Sequence, residues 1–225
     1  MMEDFQSFLS DKREGYILLE KGKISTFDLP HFLPVKLCQG RESKDSQVST
    51  LWLDNANYFD PYEISEISRY HDVKPEDVLR SIYVSRSFTC HQTSSSILEK
   101  LWNALDEHRP DLVVITGLQS IFLRSNISHR EARKVWKPVL QKLKEFESRR
   151  EDLLLTLESS GEIENDFVSS DLVKLADVVL KVEGDEKDPD LECEKGFSGW
   201  SKLFDSSFSN ENSSSDFVKL EDYVG

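Results

Sequence analysis

Five histidines and three cysteines are the first side chains to test for chemistry. His31, His71, His91, His108 and His129 stand at no ligand spacing from Cys38, Cys90 or Cys193, nor from any run of acids. No metal is expected, and each histidine reads as a surface or capping residue. No G-x-S-x-G elbow and no Cys/His pairing supports a hydrolase. What remains is charge. Arg124, Arg130, Arg133, Lys134 and Lys137 gather in one stretch, where they either touch phosphate or a partner, or only solvate a helix face. The opposite sign follows in ESSGEIENDFVSSD, from Glu158 to Asp171. Glu158, Glu162, Glu164, Asp166 and Asp171 lie there with no Lys or Arg, a composition that repels a phosphate backbone. Asp54 closes an apolar run and is a strand-end carboxylate without a partner visible in sequence.

The whole chain is acidic, with 42 Asp and Glu against 28 Lys and Arg and a formal net charge of -14. Sequence-independent DNA binding runs on cations that displace counterions, so this balance opposes it. Three widely spaced cysteines read as reduced thiols of an intracellular protein. No signal-type apolar run opens the sequence, and none approaches the roughly 20 apolar residues that span a bilayer. A soluble protein without a membrane partner is expected.

The elements that must position these residues follow from hydrophobic period. Apolar runs predict strands at YILLE from Tyr16, Ser49–Asp54, Tyr83–Ser85, Leu112–Ile115, Leu153–Leu157 and Ala176–Val182. Between them, Ile64 and Ile67 share a helical face, Pro75 opens a short helix, and Thr93–His108 carries the stripe Ile97, Leu98, Leu101, Trp102, Leu105. Ser128 with Glu131 forms a capping-box pattern ahead of a long helix, which Pro138 should kink. The segment GKISTFDLPHFLPVKLCQG resists assignment, because Pro30 and Pro34 deny a helix its regular first two turns. Strands alternating with helices predict an α/β fold with a mostly parallel sheet flanked by helices. Residues 1–13 read as an arm and 14–183 as the core. Residues 184–225 read as a disordered, acidic, Ser-rich tail in which Trp200 and Phe204 are docking candidates.

From about Leu51 to Val182 the chain resembles the RecA/RadA recombinase core. The segment LWLDNANYFDPYEISEISRYHDVKPEDVLRSIYVSRSFTCHQ is similar to the second core strand, helix and third strand, where a D-x-E-x-x-F pattern closes the strand. Asp54, Asn57 and Phe59 stand against that pattern, and Arg86 and Phe88 resemble the family's Arg-x-Phe. PDLVVITGLQSIFLRS, LLLTLESS and SSDLVKLADVVLKVE follow in the family's order. The resemblance makes the Arg124–Lys137 stretch the first DNA-binding loop region and the Glu158–Asp171 stretch the second.

The departures from the family decide the expected function. A phosphate-cradling loop needs glycines, a Lys and a Ser or Thr. After YILLE this chain offers EKGKISTFDLP, where only Gly22 frees a turn and Ser25 and Thr26 take the Lys-Ser/Thr positions. Ala56 stands where the resemblance places the water-activating glutamate, and Thr116 where it places a magnesium-holding aspartate. No clear Phe-x-x-Ala polymerisation motif is present. Phe5-Gln6-Ser7-Phe8 is the nearest, and the chain is short for an N-terminal helical DNA-binding domain.

The expectation is therefore a non-catalytic recombinase paralogue without a cofactor, a nuclear adaptor or mediator in homologous recombination and DNA repair. Its implied partners are another recombinase-like subunit and a SWIM-type zinc protein, as in Shu-type complexes. DNA is contacted weakly or only within a complex. Two alternatives stay open. One is a nucleotide-binding protein that uses Lys21 or Lys23 with Thr26. The other is an unrelated α/β interaction domain.

Overall fold

The computed structural model describes residues 16–21, 29–39, 49–55, 57–124, 126–146, 154–159, 166–185 and 188–195. Seven strands form one sheet: β1 (Tyr16–Lys21), β2 (Thr50–Asp54), β3 (Ile82–Arg86), β4 (Leu112–Thr116), β5 (Leu154–Ser159), β6 (Val178–Asp185) and β7 (Asp188–Lys195). Their order is β3-β2-β4-β5-β1-β6-β7, parallel throughout except for the antiparallel β6–β7 pair. The helices are α1 (Leu29–Gln39), α2 (Pro61–Tyr70), α3 (Pro75–Arg80), α4 (Cys90–Ser95), α5 (Leu101–His108), α6 (Leu118–Leu123), α7 (His129–Lys144) and α8 (Phe167–Leu175). A π turn, Ser96–Lys100, joins α4 to α5.

Strand alternation sorts the core into two layers. Leu51 and Leu53 of β2, with Val113 and Ile115 of β4, face α4 to α8 in a cluster with Ile97, Leu101, Phe122, Trp136, Val139 and Leu143. The intervening residue Trp52 lies on the other face, beside α1 and α2, against His31 and Phe59. Asp54 shares that face by alternation, and Thr116 meets it there, donating to Oδ1. The α/β architecture with a mostly parallel, helix-covered sheet is the one expected from sequence.

Local caps fix where the helices begin. Asp60 accepts from the Tyr62 amide at 2.8 Å, Thr89 from Gln92 at 3.2 Å, Ser128 from Glu131 at 3.3 Å and Asp166 from Val168 at 2.7 Å. Each cap satisfies an amide that a helix start leaves without a carbonyl, and Asp166 satisfies a second, that of Ser169. The Ser128 cap is the one the capping-box pattern predicts. The Thr89 cap starts the α4 helix three residues earlier than the hydrophobic stripe suggested.

Three expectations need correction. The segment with Pro30 and Pro34 is helical, as α1. Pro30 sits in the first turn, where amides have no intrahelical partner, so its missing N–H costs nothing there. Pro34 removes one bond, and burial of Phe32, Leu33 and Val35 offsets it. Second, the core does not end at residue 183. β6 runs to Asp185 and β7 pairs with it, aligning Val182 with Leu191 and Leu180 with Cys193. The alternation in DPDLECEK is a strand signal that the acidic composition hid. Third, His31 is not a surface residue but lies fully buried in α1. Helix α7 runs through Pro138, which is exposed, so the Lys134 carbonyl deprived of its amide partner lies on the solvent side. The arm 1–13 and the segment 196–225, with Trp200 and Phe204, lie outside the described residues.

Candidate functional site

In an open parallel sheet, ligands and chemistry collect at the carboxyl ends of the strands. Register brings three of these ends into one row: Asp54 of β2 aligns with Arg86 of β3 on one side and Thr116 of β4 on the other. Asp54, without a visible partner in sequence, is the hub of this row. Its side chain is fully buried. Oδ1 accepts from the Tyr58 amide at 2.7 Å and Oδ2 from the Phe59 amide at 3.3 Å, while Arg86 Nε stands 3.2 Å from Oδ2. Asn57 takes a positive φ of 55° in the turn that delivers those amides.

Thr116 is equally committed. Its Oγ1 accepts from Trp52 Nε1 at 3.2 Å and donates to Asp54 Oδ1 at 3.4 Å, and the residue is fully buried. Its carbonyl accepts from the Asn55 amide at 3.2 Å and from Asn55 Nδ2 at 2.8 Å. Asn55 Oδ1 in turn accepts from Ser87 Oγ and Thr93 Oγ1, each at 2.9 Å. Side chains from β2, β3 and β4, from the turns that follow them and from α4 thus form one closed network, as buried polar groups must. Gly117 follows with a φ of 73°, a left-handed value suited to glycine, and turns the chain from β4 into α6.

The space beside this network is filled with aromatic rings. His31 Nε2 accepts from the Asp60 amide at 2.9 Å, which leaves its proton on Nδ1, 3.7 Å from Glu63 Oε2. Its ring lies 4.8 Å from Trp52 and 5.6 Å from Tyr58. Further along α1, Lys36 Nζ lies 3.3 Å from His71 Nδ1. Burial, then the Lys36 charge, pushes the His71 imidazole down to about 4 against a smaller opposing pull from Asp72, and burial lowers the Lys36 amine too. Gly22, Ser25, Thr26 and Ala56 lie outside the described residues.

The charged stretches fare differently. Arg124, Arg130, Arg133, Lys134 and Lys137 are all exposed, the last four on α7. Arg133 is drawn toward α8, its guanidinium 4.6 Å from the Phe167 ring. A groove of about 530 Å³ beside α7 is lined by Arg130, Lys134, Ser128, Glu131, Val135 and His91. In the acidic stretch, two carboxylates have internal roles instead of facing a ligand. Asp166 caps α8 and accepts from Gln119 at 2.7 Å, and Asp171 accepts from Trp136 Nε1 at 3.0 Å. Residues 160–165 lie outside the described residues. Among the described residues no group of His, Cys, Asp and Glu is placed to hold a metal.

Sequence reasoning missed the partners of Asp54 and the burial of His31. The signal for Arg86 was present, since both residues end strands of parallel neighbours, but pairing of β2 with β3 was needed to read it.

A family model described as Rad51 matches residues 21–150, more than half of the chain. The chain belongs to the Rad51 family. The match runs from the end of β1 through α7 and includes the whole Asp54 network. Membership removes the alternative of an unrelated α/β domain and places the protein in DNA recombination and repair. No described helix is long and apolar enough to cross a membrane.

Proposed function

We propose that this Rad51-family chain is a non-catalytic paralogue, a nuclear adaptor or mediator of homologous recombination that works through protein contacts. The observation that carries this reading is the closed network at Asp54 and Thr116. A nucleotide-hydrolysing site needs strand-end carboxylates open to magnesium and to water. Here the one strand-end carboxylate of the β2–β4 pair is buried and shared among two amides, a hydroxyl and an arginine. The neighbouring position is a buried hydroxyl already used in both directions. These side chains do not fit a magnesium–nucleotide complex.

The partners proposed are another recombinase-like subunit and a SWIM-type zinc protein, with DNA contacted only in the assembly. β3 supports the first of these. It is an edge strand with Tyr83 and Val84 exposed, and an apolar cavity of about 140 Å³ lies under it between Leu51, Leu53, Leu101 and Ala104. An open edge of this kind accepts a strand from another chain, with the cavity taking an apolar side chain.

Calorimetric titration of the purified protein with magnesium and ATP tests the reading, with no heat of binding expected. A dissociation constant in the micromolar range, about -8 kcal/mol, would instead support the loop reading with Lys21 or Lys23 and Thr26. Affinity purification from cells then checks the partner class: a recombinase-like protein should co-purify, and Val84→Pro on the open edge should release it.

A further inference from the structure

We propose that Lys100 sets the specificity of the open β3 edge: the strand admitted there carries a carboxylate two positions from the apolar side chain that fills the cavity. The proposal rests on the reading of β3 as a docking edge and names the chemistry of what docks.

The cavity has a cause in the sequence. The helical segment that follows β3 returns along it, and Ser96, Lys100, Ala104 and His108, each four residues from the last, line the cavity in one row. Ser96 and Ala104 are small, as is Ser85 on the strand, so the row leaves room against Leu51, Leu53 and Leu101. The π turn Ser96–Lys100 widens the helix at this point, and π turns inside helices recur at functional sites. At the far end of the row Tyr83 stacks on His108, with ring centroids 4.4 Å apart. Lys100 stands between these ends. It is exposed, and its ammonium makes no ion pair or hydrogen bond among the described residues. An apolar seat with an unmatched cation on its rim is complementary to an apolar side chain with an anion beside it.

Strand geometry fixes where the anion must stand. Side chains alternate across a sheet, and Leu51 and Leu53 lie on the same side as the row from Ser96 to His108. An added strand reaches that side with every second residue, so the residue that meets Lys100 lies two from the anchor. The same geometry disfavours a second copy of this chain. Two copies joined at β3 about a two-fold axis would pair antiparallel, with both helical layers on one side of the joined sheet. Lys100, midway along β3, would then face its own mate across the axis. Like charges without a counterion oppose that assembly, so Lys100 selects against self-pairing as well as for an acidic strand.

The test titrates the full chain into fluorescein-labelled peptides of sequence Thr-Glu-Val-Leu-Val-Glu-Thr, with both Glu kept or both replaced by Gln or by Lys. An acid on each side of the Leu anchor presents one to Lys100 in either strand direction. In about 100 mM salt the Glu peptide should bind about fivefold more tightly than the Lys peptide, with the Gln peptide between them. The net charge of -14 on the chain would by itself favour the opposite order. About 500 mM salt should erase the difference. Lys100→Glu should invert the order, with an unchanged melting temperature showing that the variant folds, and Val84→Pro should abolish binding of all three. Equal binding of the Glu and Lys peptides, or an order that Lys100→Glu leaves as it was, overturns selection by Lys100, while loss of binding in Val84→Pro keeps the edge reading. Binding of none of the peptides, or binding that Val84→Pro leaves intact, overturns the edge reading as well. Sedimentation equilibrium at micromolar concentration should show a monomer, and a dimer that Val84→Pro dissolves would overturn the selection against self-pairing.

Discussion

At the ends of β2 and β4 every charged or polar side chain meets an internal partner, whereas along α7 the cations Arg130, Lys134, Lys137 and Lys144 form no ion pair among the described residues. Both regions lie within the part of the chain that matches the Rad51 model. The first has turned carboxylate and hydroxyl chemistry inward, where it holds three strands in register. The second keeps its charge outward, where it adds little to stability and remains free for a partner. Burial decides which role a polar residue takes, because a buried group without a partner costs far more than an exposed one.

The sharpest way to break the comparison is Asp54→Ala. It strands the Tyr58 and Phe59 amides, the Thr116 hydroxyl and the Arg86 guanidinium, and should cost about 3 kcal/mol in urea unfolding. A neutral or stabilising result would mean that Asp54 is held in reserve for a ligand. Trp52→Phe removes the indole donor to Thr116 together with part of a fully buried ring and should cost about 2 kcal/mol.

A pH titration separates the layers next. His71 has its pKa lowered to about 4 by burial and by Lys36, from 6.5 in the unfolded chain. The unfolded state therefore binds more protons between these values, so the contribution is fully present above pH 6.5 and is lost as pH falls toward 4. His71→Gln should flatten the fall in melting temperature across that window. An unchanged slope would place the acid sensitivity elsewhere.

The smallest effects belong to α7. Arg133→Ala should cost about 0.5 kcal/mol, through its stacking on Phe167. Lys134→Glu with Lys137→Glu should leave stability within about 0.5 kcal/mol while weakening DNA binding by the assembled complex. The salt slope of that binding should drop by about one unit for each phosphate that is no longer neutralised. Failure of the complex to assemble would instead identify the face as a protein interface.

Hydrophobic period by itself determined six of the strands, the long α7 helix with its Ser128 cap, and the α/β class, because those signals are local and repeat every 2 or 3.6 residues. The family pattern around Asp54 and Arg86 was also legible, since it is a matter of residue order. Tertiary structure alone decided the rest. A helix with two prolines stands because its buried face is covered, and an acidic stretch becomes β7 because β6 offers it a ladder. Asp54 reaches Arg86 and Thr116 across 32 and 62 residues of chain, contacts that exist only once three parallel strands lie side by side. Whether a carboxylate serves chemistry or architecture depends on what surrounds it, and a sequence records only what it is.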